Sequence, residues 1–206
     1  MTQETAAAKR GRPRTIDPNA IVDTATRLMH RQGYADTTMM EIADACGISR
    51  KSLFLYFPAK SDLIWATFDG YVEGLRKNIT NSDAADPLDK VIDAVIVGFD
   101  LFPLRPDIMR LQVQMIGTDS ELRQQGESRS LSWRDAVADC LVRRTGNRPL
   151  ADGLAYGVWR CLWKGLHLWA DTSLPSPLPL VQVQLDQFAR AVNEPTGMPT
   201  EHDKRS

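Results

Sequence analysis

An all-α protein is what this sequence predicts: three short helices, then a larger helical body, about nine helices in all. Three observations carry that expectation. Apolar residues recur at three- and four-residue intervals from Ile21 to Val192, the spacing of one helical face. Side chains suited to helix starts stand ahead of the early runs, and glycine or proline stands after them. No stretch alternates in the manner of a strand bounded by turns.

The first helix opens at Asp17-Pro18, where the carboxylate can accept from free N–H groups and proline suits the first position. Ile21, Ala25, Leu28 and Met29 form its inner face, and Gly33 ends it. Thr38-Met-Met-Glu41 spells a capping box for the second helix, whose stripe is Met39, Ile42, Ala43 and Cys46. Gly47 closes that helix, and Ser49 caps a third that runs through Leu53 and Phe54 to Pro58. Two short helices joined by "GIS", with small Ala43 at the crossing and Ile48 as an inward pin, read as a helix-turn-helix. A plain helical hairpin gives the same pattern.

From Ser61, a candidate cap, the fourth helix carries Ile64, Phe68, Tyr71 and Leu75 inward. Leu88, Val91, Ile92, Val95, Phe99 and Phe102 mark the fifth, and Ile108, Leu111 and Met115 the sixth, after Pro106. Trp133, Val137, Cys140 and Leu141 place the seventh, which ends before Gly146. Two more follow at about 149–171 and 179–193, separated by "SLPSPLPL". The segments expected are a flexible basic arm (1–15), a DNA-binding domain (16–60), an effector-binding and dimerisation domain (61–195) and a disordered tail (196–206).

Composition narrows the function. The chain has 206 residues, 43% hydrophobic and 25% charged, ordinary proportions for a globular protein. Nothing approaches an apolar span or a signal segment, so no membrane partner and a cytoplasmic location are expected. Cys46, Cys140 and Cys161 read as small buried hydrophobes of a reducing compartment. The three histidines make no ligand spacing, and no catalytic motif is present, so no metal, no cofactor and no enzyme activity are expected.

Charge is uneven. Residues 1–60 hold nine Lys/Arg against six Asp/Glu, although the whole chain carries −1. "KRGRPR" puts four cations at Lys9–Arg14, just ahead of the first helix. Arg10, Arg12 and Arg14 there could reach a narrow minor groove, since "RGRP" resembles the AT-hook core; the competing reading is a polybasic tail adding only nonspecific attraction.

"RQGYADTTMMEIADACG" followed by "GISRKSLFLYFPAKSDL" resembles the DNA-binding domain of TetR-type transcriptional regulators, from Ile21 to about Tyr71. The resemblance implies that the third helix enters a DNA major groove. Ser49, Arg50, Lys51 and Ser52 lie in its first turn, where Arg50 and Lys51 could donate to guanine or neutralise phosphates. Thr38 and Lys60 suit phosphates beside helix starts, and Tyr56 resembles the family's backbone-contacting tyrosine. Lys51, Phe54 and Leu55 depart from the family's frequent glycine, tyrosine and histidine, so the operator sequence does not transfer.

The body supports two further expectations. Trp65, Phe68, Phe99, Met115, Trp133 and Trp163 suit an effector cavity between helices, although aromatics at this spacing are more often core. "RPDIMRLQVQMI…SLSWRDAVADCLVRRTG" is similar to the ligand domain of mycofactocin-system regulators, which implies acyl-CoA-like effectors; Arg105 and Arg110 are the cations to meet such a group. Surplus apolar surface on the last two helices (Val158, Leu162, Leu166, Val181, Leu185, Phe188) is expected to pair a homodimer, with an intrachain core as the competing reading. The function expected is a repressor released from a palindromic operator by a small apolar or acyl-CoA-like effector. The alternative is a DNA-binding architectural protein without a ligand switch.

Overall fold

The structure, a computed structural model, describes residues 17–101 and 105–194. The expectations for Arg10, Arg12 and Arg14 in the basic arm, for Phe102 and for the 196–206 tail lie outside those residues. Among the described residues there are nine helices and no strand: α1 (Pro18–Gln32), α2 (Met39–Cys46), α3 (Arg50–Tyr56), α4 (Lys60–Asn81), α5 (Pro87–Leu101), α6 (Pro106–Thr118), α7 (Ser120–Thr145), α8 (Arg148–Ala170) and α9 (Leu178–Asn193). None is long and apolar enough to cross a membrane.

The three early start signals each close a hydrogen bond. Asp17 accepts from the Asn19 N–H, and Ser49 accepts from the Ser52 N–H. Thr38 and Glu41 satisfy each other's backbone N–H groups in a full capping box. Gly47, at φ +66°, takes the left-handed turn that lets α3 follow α2 after three residues. Ala43 and Leu53 are buried where α2 and α3 meet.

Three helix expectations change. Ser61 is not the cap of α4: the helix starts at Lys60, Asp62 accepts from the Ala59 N–H at 2.8 Å, and Ser61 is buried in the first turn. On α6 the expected Leu111 is only half-buried. Because α1 and α8 both cover α6, its inner face is Ile108, Met109, Gln112, Val113, Met115 and Ile116. The seventh helix starts much earlier than Trp133, at Ser120, capped by Asp119. Its inward residues there are Leu122, Gly126 and Ser130, small or polar apart from one, so no apolar stripe announces them.

One continuous core joins the two parts, from Ile21 and Ala25 of α1 through Leu63 and Ile64 of α4 to Val181 and Leu185 of α9. Helix α1 rests on α4 and α6, and α7, α8 and α9 pack successively. Gly165 makes the last contact possible: a Cβ there would stand 2.5 Å from the Val181 Cα, so α8 and α9 meet backbone to side face. Cys140 is buried, and Cys46 and Cys161 half-buried, all as free thiols whose pKa burial raises.

Candidate nucleic-acid interface and effector cleft

Helix α3 is fastened by its apolar side and leaves its polar side outward. Leu53 is buried, while Ser49, Arg50, Lys51 and Tyr56 are exposed and Leu55 is 81% exposed. The Arg50 guanidinium lies 5.3 Å from the Phe54 ring centroid, which restrains that side chain without neutralising it. Ser52 is half-buried, and its hydroxyl meets that of Ser49 at 2.8 Å.

Two residues expected on phosphates are occupied otherwise. The Thr38 hydroxyl donates to the Glu41 carboxylate at 2.7 Å, and that carboxylate already fills the anion site at the start of α2. Lys60 directs its ammonium to the carbonyls of Tyr34, Ala35 (3.3 Å) and Thr37 (3.0 Å), and sits 4.2 Å from the Tyr34 ring centroid. An ammonium has three donors, and here three carbonyls take them. Burial, with Glu121 and Asp119 nearby, pushes the Tyr34 phenol up to about 12. Lys60 therefore works as a strut between the first turn of α4 and the Tyr34–Thr37 segment that leads into α2.

A second tie joins α1 to the start of α6. Arg27 pairs with Asp107, and Arg105 pairs with Asp23 and, at 3.5 Å, with Asp107. Beneath this network the Gln112 side chain is buried and donates to Thr26 Oγ1 (3.4 Å) and the Leu63 carbonyl (3.5 Å), bridging α6, α1 and α4. Arg105, expected near an effector, is a joint residue. Arg110 is engaged within the chain: it donates to the carbonyls of Trp169 and Ala170 at the end of α8 and of Thr172 and Leu174 just after it, stacked 4.2 Å from the Trp169 ring centroid. The first two belong to the last turn of α8, and a helix C-terminus favours a cation.

Four of the expected effector residues come together. Trp65 of α4 lies 5.5 Å from Phe68 and 5.6 Å from Trp163 between ring centroids, and Phe68 lies 5.2 Å from Trp163. Trp163 continues to Trp159 (5.5 Å), and Trp159 to Trp133 (5.3 Å). Phe99 and Met115 stand apart from this set. Phe99 faces Tyr71, whose hydroxyl donates to the Val95 carbonyl, and Met115 borders a different cleft beside Met29 and Tyr34.

Beside the aromatic set is a cleft of ≈ 80 Å³ lined by Trp65, Ile116, Gly126, Trp159, Trp163 and His167, with Arg123, Glu127 and Arg160 also on its walls. Sequence reasoning missed His167 and Gly126. The available signals were a histidine four residues after Trp163 on an apolar helix and a glycine inside a long helix. Among the described residues Trp65 Nε1, Trp133 Nε1 and His167 Nε2 are buried with no hydrogen-bond partner. No group of residues that could hold a metal ion occurs among those described.

The six side chains expected at a dimer interface are inside the chain. Val158, Leu162, Leu166, Val181 and Leu185 are buried, and Phe188 is packed against the same core. Helices α8 and α9 spend that surface on each other, α8 also on α6 and α7 and α9 on α5, so the intrachain core accounts for these residues. The outward side chains left on the two helices include Leu168 and Val183, 44% and 45% exposed.

Comparison with known proteins gives consistent matches. Residues 21–67 match the family model described as bacterial regulatory proteins, tetR family. The chain is 29% identical over 139 residues to the putative mycofactocin biosynthesis transcriptional regulator MftR of Mycobacterium tuberculosis, covering 67% of this chain and 70% of that one. It is 24% identical over 135 residues to the HTH-type transcriptional regulator EthR of Mycolicibacterium smegmatis, covering 63% of this chain and 62%, under two thirds, of that one. Among solved structures, the fatty acid degradation regulator FadR from Bacillus halodurans superposes with a TM-score of 0.63 at 17% identity, over 89% of this chain and 100% of that one. FadR of Thermus thermophilus, solved with lauroyl-CoA, gives 0.57 at 17% identity over 89% and 98%.

Proposed function

We propose that this chain, a TetR-type transcriptional regulator, acts as a repressor that grips a palindromic operator as a homodimer and lets go when a small apolar effector enters beside Trp65. The observation that carries the switch is the position of Trp65. Its ring borders the cleft and packs on α7 and α8, while five residues earlier on the same helix Lys60 holds the segment that leads into the helix-turn-helix. A cleft of ≈ 80 Å³ is smaller than the ~150 Å³ apolar cavity that accepts benzene, so an effector must widen it by pushing the Trp65 wall outward, the ring still lining the site. Displacing Trp65 shifts α4, and Lys60 passes that shift to α2 and α3. The effector changes operator affinity only by its different affinity for the two arrangements.

On the DNA side, Arg50 and Lys51 reach base edges or phosphates, Ser49 and Tyr56 contact the backbone, and Ser52 supports Ser49. Thr38 and Lys60 position the motif. In the homodimer a second copy lies against the outward faces of α8 and α9, around Leu168 and Val183. Two recognition helices then meet half-sites ~34–36 Å apart. Of the two effector classes, the small apolar one fits the narrow cleft better than an acyl-CoA such as the lauroyl-CoA bound by the Thermus protein.

The test is selection of an operator from random duplexes, followed by fluorescence-anisotropy titration with and without candidate effectors. Effectors that bind should weaken operator affinity at least about fivefold, the low end of ordinary coupling energies. Binding that leaves DNA affinity unchanged sinks the switch. The well-filled aromatic core favours a second reading, DNA binding with no ligand switch, and the same titration separates the two.

A further inference from the structure

Two of the residues that line the cleft carry orphaned polar atoms. Trp65 is 2% exposed, and its Nε1–H has no acceptor among the described residues; the buried Nε2 of His167 has no partner there either. Each orphan has given up its bond to water without a replacement, a cost that a satisfied or apolar alternative avoids. Leucine or phenylalanine would fill either position without that cost, so packing alone does not account for them.

The hydrogen-bonding sense of His167 follows from its other nitrogen. Nδ1 lies 2.9 Å from the Trp163 carbonyl, which can only accept, so Nδ1 carries the proton. Burial holds the imidazole below its ordinary pKa, so it is neutral near pH 7 and Nε2 is left as an acceptor. The residues lining the cleft thus hold one unpartnered donor, Trp65 Nε1–H, and one unpartnered acceptor, His167 Nε2, among indole rings. Charges on its walls are of both signs: Arg123 and Arg160 against Glu127. Arg123 is already bound to the Gly117 carbonyl at 2.6 Å.

We propose that this cleft selects a small uncharged molecule bearing one donor–acceptor group, most simply a hydroxyl, on an apolar or aromatic body. The hydroxyl oxygen accepts from Trp65 Nε1, its hydrogen goes to His167 Nε2, and the apolar body lies among Trp159, Trp163 and Ile116. This rests on the effector reading above and narrows it. A compound without such a group leaves both atoms unsatisfied, while a carboxylate presents no hydrogen to Nε2.

Phenol and toluene differ at one position, hydroxyl against methyl, and are the probes. Isothermal titration of the full chain without DNA should give phenol a Kd about tenfold or more below that of toluene, the worth of one to two net hydrogen bonds. His167→Phe should bring the ratio of the toluene and phenol Kd values close to one, whatever it does to the two together. His167→Gln, which keeps an acceptor, should retain part of the preference, and a cooperative thermal transition shows that each variant folds. Trp65→Phe should act in the same direction as His167→Phe. Equal affinities for the two probes, a Kd ratio indifferent to His167→Phe, or no binding of either probe (water only in the cleft) each overturn the proposal. Failure of the effector reading is distinguishable: phenol would bind with the stated preference yet leave operator affinity unchanged. Conversely, operator release by a compound lacking a donor–acceptor group, undiminished in His167→Phe, leaves the switch standing and removes this proposal.

Discussion

Trp65 on α4 occupies the space that a side chain at Gly126 on α7 would need: a Cβ there would stand 2.6 Å from Trp65 Cη2 and 2.8 Å from Cζ2. Indole and glycine are thus one fitted contact between the helix that continues from the DNA-binding motif and the helix that backs the cleft. Gly126→Ala should gain helix propensity yet lose stability, by about 1–3 kcal/mol, because the ring is hemmed in by Phe68 and Trp163. Denaturant unfolding measures it. A stabilised variant would mean that the ring moves freely.

Gly165→Ala should be worse tolerated. The atoms in the way are backbone, Val181 Cα at 2.5 Å and N at 2.8 Å, and backbone cannot rotate aside. A loss of about 3 kcal/mol is expected, at the upper end for overpacking. A change under 1 kcal/mol by the same unfolding assay would show that α9 is not seated on α8 as described.

Lys60→Met keeps the aliphatic stem and removes the three donors. The carbonyls of Tyr34 and Thr37 are partly buried at this contact, so stability should drop by about 2 kcal/mol. Operator affinity should fall as well, although Lys60 would touch no DNA. The discriminating measurement is the salt dependence of binding: its slope should be unchanged, whereas loss of a phosphate contact would reduce it by about one.

Arg50→Ala and Lys51→Ala should separate base reading from phosphate neutralisation. Arg50 is restrained by Phe54 and is the better candidate for a bidentate guanine contact. Its loss should cost about 1–3 kcal/mol on the selected operator and relax selection at one base position. Lys51→Ala should weaken all sequences evenly and lower the salt slope by about one. Anisotropy on operator and scrambled duplexes reads both.

The buried imidazole predicts a pH effect with a definite sign. Desolvation, the leading cause, lowers the folded pKa of His167, so below about pH 6.5 the unfolded chain binds the proton more readily. The stability contribution is whole above that value and is lost as pH falls toward the folded pKa. His167→Phe should therefore flatten the decline in melting temperature between pH 7 and 5, a range above most carboxylate titration. A decline of the same size in the variant would assign it elsewhere.

What could be read from the sequence is what neighbours along the chain decide. The capping box of Thr38 and Glu41, the turn at Gly47 and the stripe of Ile42 and Ala43 are satisfied within a few residues of themselves, so spacing and residue type announce α1 to α3. The exposed first turn of α3 follows from the same pattern. Trp65, Phe68 and Trp163 were legible as aromatics on inner faces, though not as mutual neighbours. The start of α7 was not legible, because Gly126 and Ser130 face inward by virtue of being small.

The tertiary structure decided how each charged or apolar side chain is used. Lys60 and Arg110 look like free cations until folding brings carbonyls from 23 to 26 and from 59 to 64 residues away against them. Leu162 and Val181 look like surplus surface until α9 folds back over α8. His167 gains its orphaned acceptor only because the Trp163 carbonyl fixes one nitrogen and neighbouring helices dry the other. Periodicity states which side of a helix avoids water; only the packed chain states what stands there in its place, because the free energy of a contact depends on the partner that removes the water.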